Sequence, residues 1–169
     1  MSVGSFGPPA GLYGKRQRTR SAIARGSAHK GARGEREVLD ALRAVMENVE
    51  NEFKAVGVAV TAHSENASRR RIEKKKSKED ISGVPLISIE VKRNEKLNVE
   101  GAWLQCVNQA TERRLPVLFY KFNNKPWRVK TYAALVDMEG NVTQWACAEI
   151  DMPTFLTFFA TLYRGFLSK

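Results

Sequence analysis

Two carboxylates and a lysine stand close together in the middle of the chain, where residues 79–92 read EDISGVPLISIEVK. Alternate side chains of a β-strand share a face, so we expect Glu90 and Lys92 to point the same way while Val91 enters the core. The Gly-Val-Pro turn before this strand would fold the chain back and bring Asp80 to the same edge. Carboxylates beside an amine, in a basic protein, indicate metal-dependent cleavage of a phosphodiester.

The metal that suits such a site is Mg²⁺, with Mn²⁺ as a substitute, because Mg²⁺ binds oxygen, takes few protein ligands and keeps several waters. Its candidate ligands are Asp80, Glu90 and Glu35, with the carbonyl of Val91 as a further oxygen. Lys92 would either orient the attacking water or stabilise the charged phosphate. Glu35 also has an alternative role, because an acid in the first turn of a helix favours the helix dipole without taking part in catalysis.

Composition favours a polyanionic partner. The 169 residues carry 28 Lys+Arg against 18 Asp+Glu, for a formal net charge of +10. Nucleic acid fits this excess better than an acidic membrane surface does. We find neither a membrane-spanning apolar run nor a signal-peptide core, and we therefore expect a cytoplasmic protein with no membrane partner. The cysteines lack metal-ligand spacing and fit buried thiols of a reducing compartment, and the two histidines are too few for a zinc site.

Hydrophobic periodicity predicts an α/β fold with a mixed sheet flanked by helices. The expected elements are helix 32–48, strand 53–62, strand 86–92, helix 103–113, strand 116–122 and strand 127–135, the last two antiparallel. A final helix is expected to start near Asp151, with Pro153 in its first turn. Its apolar residues cover more than one stripe, so we expect it to bury against the sheet or against a second copy.

The chain divides into three predicted parts: a flexible basic arm at 1–29, a core at 30–150 and a C-terminal helix at 151–169. Glycines and prolines break regular structure in the arm, which would either track a phosphate backbone or serve as a solvating tail. A second cationic segment comes just before Asp80, and its position favours contact with DNA over a merely solvated charge run. Its cations are Arg69, Arg70, Arg71, Lys74, Lys75, Lys76 and Lys78.

Several short motifs occur together in the middle of the chain. They are KGARGERE at 30–37, Asp80-Ile81, IEVK at 89–92, Gln105, PVL at 116–118 and WRV at 127–129. In this combination the chain resembles the PD-(D/E)XK nuclease superfamily, and within it the archaeal and phage Holliday-junction resolvases and related phage endonucleases. The resemblance covers about residues 30–130. It departs at Glu79, where the superfamily pattern has proline, and in the long cationic insert before Asp80.

The resemblance implies a restriction-endonuclease-like sheet and a role for each matching residue. It makes Glu35 the helix carboxylate, Arg36 a binder of the DNA backbone, Asp80 and Glu90 the metal ligands, Lys92 the catalytic lysine and Gln105 a support of the site. The implied activity is that of a Mg²⁺-dependent, structure-selective DNA endonuclease, a Holliday-junction resolvase of recombination or replication. Such an enzyme works as a homodimer and needs no small-molecule cofactor; if phage-encoded, it would act in the bacterial host cytosol.

Three alternatives remain open at this point. The first is a non-catalytic nucleic-acid-binding or packaging protein on a nuclease-like scaffold, in which the cationic segments do the binding. The second is a nuclease for branched or single-stranded intermediates in general, which shares the chemistry and differs in substrate. The third, a restriction-type enzyme, needs an element that reads base sequence, and the chain shows none.

Overall fold

The computed structural model of the protein describes residues 20–69, 79–110 and 114–169. The helices of these ranges are α1 (Arg20–Ala55), α2 (His63–Asn66), α3 (Val99–Gln109) and α4 (Met152–Leu167). The strands are β1 (Ser68–Arg69), β2 (Ile81–Ser82), β3 (Ile87–Arg93), β4 (Leu115–Lys121), β5 (Arg128–Val136) and β6 (Val142–Asp151). None of these helices is both long and apolar enough to cross a lipid bilayer.

The strands form one mixed sheet in the order β1-β2-β3-β4-β5-β6. β3 and β4 are parallel, with Glu90 opposite Leu118, and the other neighbouring pairs are antiparallel. A parallel pair requires a crossover connection, which α3 supplies between the two strands. The prediction of an α/β fold with a mixed sheet flanked by helices is therefore confirmed.

The two faces of the sheet bury different clusters. Ile87, Ile89 and Val91 of β3 enter the main core, which α1 and α4 cover. On the opposite face, Trp103 and Cys106 of α3 belong to a smaller core. The alternation predicted for β3 is thus confirmed, and the even-numbered residues of the strand lie on the side of α3.

Helix α1 is longer than expected at both ends. It begins at Arg20, so residues 20–29, which we assigned to the arm, are helical; the arm residues 1–19 lie outside the described ranges. The strand predicted at 53–62 is wrong, because Phe53 continues the buried helical face of α1 and packs on the main core. The helix ends at Ala55 and is capped at Gly57 (φ +80°), where the amides of Gly57 and Val58 donate to the carbonyls of Lys54 and Phe53 respectively. This pattern is a Schellman cap, which favours glycine.

The remaining elements follow the sequence closely, with one omission. Strands predicted at 86–92, 116–122 and 127–135 correspond to β3, β4 and β5 within one residue. Helix α3 begins four residues earlier than expected, at Val99, where the Asn98 side chain caps it. It also ends earlier, at Gln109, because Ala110 is extended; the predicted helical residues 111–113 lie outside the described range. Asp151 caps α4 and Pro153 occupies its first turn, as predicted. Strand β6, whose side chains are mostly exposed, was not predicted.

Candidate active site

Asp80 lies at the edge of β3, the strand that carries Glu90. The two-residue strand β2 pairs with β3 only at Ile81 and Ile89, so the ladder stops there. Beyond it, the amide of Asp80 donates to the carbonyl of Ile89 (3.0 Å), and the Asp80 carboxylate accepts from the amide of Val91 (2.9 Å). The expected approach of Asp80 to this edge is therefore present, and its carboxylate also satisfies a strand amide.

The turn that folds this segment back depends on Gly83. Its φ is +81°, a region that L-amino acids with side chains rarely adopt, and a Cβ there would collide with the carbonyl oxygen of Asn66. Glycine is therefore the residue that allows the chain to return to the β3 edge with Asp80 in place.

Glu90, Lys92 and Gln105 form a hydrogen-bonded cluster on the α3 side of the sheet. The Glu90 side chain is buried, and its Oε1 accepts from Lys92 Nζ and from Gln105 Nε2, the latter at 3.1 Å. β3 supplies the first two residues by its alternation, and α3 supplies the glutamine. Because a buried carboxylate needs charged or polar partners, these two donors compensate much of the cost of burying it.

The charge of Glu90 also acts on its neighbour Cys106. Burial, and then the negative charge of Glu90, raise the pKa of the Cys106 thiol to about 12. A thiol this weakly acidic and this buried is a core residue and not a nucleophile. Lys92 differs, because about 30% of its side chain is exposed and its ammonium lies at the border between the cluster and solvent.

Glu35 and Arg36 lie where α1 passes the C-terminal end of β3. The preceding Gly34 is so close that a Cβ would lie 3.2 Å from Arg93 Cβ and 3.2 Å from Trp127 Cη2. Glu35 is half-buried and Arg36 is exposed. However, α1 covers the opposite face of the sheet from Glu90.

Within the described residues, no three His, Cys, Asp or Glu side chains are grouped so that they could hold a metal ion. The third carboxylate ligand that we expected from Glu35 is therefore not assembled with Asp80 and Glu90, and its role as a ligand stays a prediction. The donors beside β3 are the Asp80 carboxylate, which accepts from the Val91 amide, and the buried Glu90 carboxylate, which accepts from Lys92 and Gln105. Oxygen donors of this kind fit a hard divalent cation that completes its shell with water.

Glu37 is a residue that the sequence reasoning missed. Its carboxylate accepts from Arg93 NH1 (2.8 Å), Trp127 Nε1 (3.0 Å) and Arg33 Nε (3.1 Å), and Lys121 Nζ lies 3.6 Å away. Burial alone would raise the pKa of Glu37, but the Trp127 hydrogen bond and the neighbouring cations outweigh it and lower that pKa. This cluster ties α1 to the end of β3 and so positions the turn of α1 that carries the predicted acid. Its only local signal was the four-residue spacing of Arg33 and Glu37.

Glu79 and Arg114 form a second cluster that was missed. Glu79 is buried, and its two carboxylate oxygens accept from Arg114 NH1 at 2.7 and 2.8 Å. This is the position at which the PD-(D/E)XK pattern has proline. Arg114 NH2 donates to the carbonyls of Val84 (2.7 Å) and Ile87. One guanidinium thus holds both ends of the segment that returns Asp80 to the β3 edge.

Most of the cationic segment predicted to bind DNA cannot be placed. Arg69 is described only through the backbone of β1, and residues 70–78 lie outside the described ranges. Near the end of β3, Lys30 Nζ bonds Glu95 Oε1 at 2.6 Å, and Lys96 is exposed. The described cations around the candidate site are therefore mostly paired with acids. Six of the seven cations predicted to bind DNA lie in residues 70–78, outside the described ranges.

Comparison with known proteins adds no assignment. No protein-family model matches the chain, and no curated protein or solved structure matches it either. The resemblance to nucleases therefore depends on the motifs and on the side chains that they bring together.

Proposed function

We propose that this chain is a Mg²⁺-dependent DNA endonuclease of the PD-(D/E)XK type with a restriction-endonuclease-like fold, and that it cleaves branched DNA. A four-way junction is the substrate that we favour, with a homodimer as the active form. A junction has two symmetric scissile phosphates, and a two-fold pair of active sites matches them.

One observation carries the proposal. Glu90 and Lys92 lie on one face of β3, Lys92 and Gln105 both donate to the Glu90 carboxylate, and Asp80 accepts from the amide of Val91 between them. These are four of the residues that the motifs assign to the site, and they come from three separate segments. An exposed charge pattern of purely local origin would not require a glutamine from α3 to meet a buried glutamate from β3.

Each residue then has a distinct task. Asp80 and Glu90 would hold the cation, which supplies Lewis-acid stabilisation of phosphate charge and a more acidic water. Gln105 fixes the orientation of the Glu90 carboxylate through its amide. The partly exposed ammonium of Lys92 is placed to meet the negative charge that grows on the phosphate oxygens.

The test is cleavage of labelled four-way junction, flap, linear duplex and single-stranded DNA by the full chain, each with Mg²⁺, with Mn²⁺ and with EDTA. We expect metal-dependent cleavage that is fastest on the junction. Asp80→Asn, Glu90→Gln and Lys92→Met should each slow it by at least about 100-fold, or about 2.7 kcal/mol of transition-state stabilisation, while junction binding persists.

The matched control is Glu100→Gln, which removes a carboxylate from α3 on the same side of the sheet. Glu100 is about 74% exposed and pairs with Lys130 outside the Glu90 cluster, so its loss should leave the rate unchanged. Cleavage by folded Glu90→Gln protein at the wild-type rate would refute the assignment. So would the absence of cleavage of all four substrates with either metal.

A second function is favoured by one feature of the same site. The Asp80 carboxylate already accepts from the Val91 amide, and Lys92 already forms an ion pair with Glu90. Both carboxylates at this edge of the sheet therefore have protein partners without a bound cation. A non-catalytic nucleic-acid-binding or packaging protein would need no more than this. It predicts DNA binding that EDTA does not alter and no nicks in any substrate, which the same assay detects.

A further inference from the structure

Strand β6 is a long edge of the sheet with an unprotected centre. Among the described residues it pairs on one side only, with β5, and it extends over ten residues from Val142 to Asp151. Proteins usually block the pairing of an edge strand with another chain by charged residues, proline or a bulge. β6 has a bulge at Thr143, near its start, and its two acids, Glu149 and Asp151, near its end; residues 144–148 between them carry no charge, proline or irregularity.

Apolar side chains lie along this edge. Trp145 is 61% exposed and Val142 is 53% exposed, although both belong to β6 and pair with β5. Beside them, a groove of about 680 Å³ runs between α4 and the β5–β6 hairpin, with Ala148, Phe158 and Leu162 among its lining residues. Phe155 and Phe159 of α4 are buried in the main core, but Phe158 is left 41% exposed at the groove.

The charge of this region separates it from the rest of the chain. Residues 131–163 contain neither lysine nor arginine, and their four acids are Asp137, Glu139, Glu149 and Asp151. All 28 cations therefore lie elsewhere, and this stretch carries a formal charge of −4. Nucleic acid therefore meets no lysine or arginine in this stretch. Glu149, the acid nearest the centre of β6, pairs with Arg128 of β5 at 3.1 Å, so the acids that two copies bring together are partly neutralised within each chain.

We propose that β6 is the interface with a second copy of this chain, and that the two β6 strands pair antiparallel about a two-fold axis normal to the sheet. Such an axis keeps both α4 helices on one face, so the two apolar grooves meet across it. The axis passes near Ala146 or Cys147, the two central residues of the strand. A ten-residue strand extends about 34 Å, long enough for a continuous ladder across the dimer. The inference specifies the interface of the homodimer in the proposed function, but its test does not depend on nuclease activity.

This geometry brings the two Cys147 residues together. With the axis at Cys147 the two Cα atoms are directly opposite, about 4.5–5.5 Å apart, and with the axis at Ala146 they are diagonal neighbours at about 7–8 Å. Cys147 is an exposed free thiol, so the expectation of two buried thiols is wrong for it, whereas Cys106 is buried as expected. A short-spacer bismaleimide should therefore join two wild-type chains through this one residue.

The experiment measures the mass of the full chain by sedimentation equilibrium. We expect a dimer of two 19.0 kDa chains. Trp145→Glu should raise the dimer dissociation constant by at least about 100-fold, because it removes an apolar side chain from the paired edge and adds a like charge. The new carboxylate lies opposite Glu149 of the partner subunit if the axis is at Cys147, and diagonal to its own copy if the axis is at Ala146. Leu104→Glu is the matched control, since Leu104 is equally exposed, at 61%, but lies on α3. It should leave the dissociation constant unchanged.

Cross-linking of the unaltered chain gives a second measurement that does not require the glutamate variant to fold. Wild-type protein should yield a covalent dimer on a denaturing gel, and Cys147→Ser should abolish it. A monomeric wild-type chain would overturn the proposal. So would a dimer that Trp145→Glu does not weaken, or one that Cys147 does not cross-link, because either result places the contact on another surface.

Discussion

Arg114→Ala should destabilise the protein and disturb the candidate site, although Arg114 touches none of the predicted catalytic side chains in the described hydrogen bonds. Its guanidinium bonds the carboxylate of Glu79 and the carbonyls of Val84 and Ile87. Removing it takes the Arg114 cation away from a carboxylate that is only 5% exposed. The segment that presents Asp80 then loses the contact that joins its two ends.

The magnitude follows from burial. Breaking a buried ion pair by removing one partner typically costs about 3–5 kcal/mol, because the remaining charge is uncompensated. About 27% of the Arg114 side chain is exposed, so water reaches the vacated site in part and we expect the lower end, about 3 kcal/mol. For a chain of this size that corresponds to a melting temperature lower by roughly 6–12 °C.

Urea unfolding monitored by tryptophan fluorescence measures the change in the free energy of unfolding. Arg164→Ala is the matched control, because Arg164 also makes two hydrogen bonds to one carboxylate, that of Glu52, at 2.8 and 2.9 Å. Both side chains of that pair are about half exposed, so we expect a much smaller effect. Glu79→Gln combined with Arg114→Met should recover stability relative to Arg114→Ala, since it leaves no buried charge.

A loss below about 0.5 kcal/mol for Arg114→Ala, or one equal to that of Arg164→Ala, would refute this reasoning, because surface changes have effects of that size. If Arg114→Ala is destabilised, but Glu79→Gln combined with Arg114→Met is destabilised further, the argument that the buried charge of Glu79 causes the loss is wrong.

Two further predictions concern buried groups. The Glu50 carboxylate is buried and accepts from the Ser64 amide (2.9 Å), the Ser64 hydroxyl (2.6 Å) and the Tyr163 hydroxyl (2.6 Å). Tyr163→Phe should therefore lower the free energy of unfolding, measured in urea at neutral pH, by about 1.5–3 kcal/mol. Burial raises the pKa of Glu50 but these donors outweigh it and lower that pKa, so the stabilisation is present above the unfolded pKa of about 4.3 and lost as pH falls through the folded value. The cost of Tyr163→Phe should therefore shrink in acid, and a cost independent of pH would contradict this assignment. In the folded protein Cys147 should react with a thiol-specific disulfide reagent while Cys106 reacts only after unfolding; labelling of both at equal rates in the native state would contradict the burial of Cys106.

The candidate site was predictable where its information is local. Strand alternation placed Glu90 and Lys92 on one face, and the Gly-Val-Pro turn returned Asp80 to the β3 edge. Both depend on conformational preferences of a few consecutive residues, which a sequence displays directly. The contact of Gln105 with Glu90 came from the resemblance and not from any local pattern.

The errors have identifiable causes. The valines of residues 53–62 alternate as in a strand, but the helical periodicity of α1 extends to Phe53, and burial against the core prevails over β propensity. Strand β6 was missed because its side chains are mostly exposed and its residues are of mixed polarity, so neither face shows a clean apolar alternation. Its place in the sheet is given by pairing with β5.

The sequence by itself determined the α/β class, the central strand with its acid–lysine face, the capped start of α4 and the basic character of the chain. Only the tertiary structure decided that Glu37 meets Trp127, 90 residues away, and that Glu50 meets Tyr163, 113 residues away. It also placed α1 on the opposite face of the sheet from Glu90. The physical reason is that periodicity and capping are local properties of the backbone, whereas the partner of a buried charge depends on which distant segments the hydrophobic core brings together.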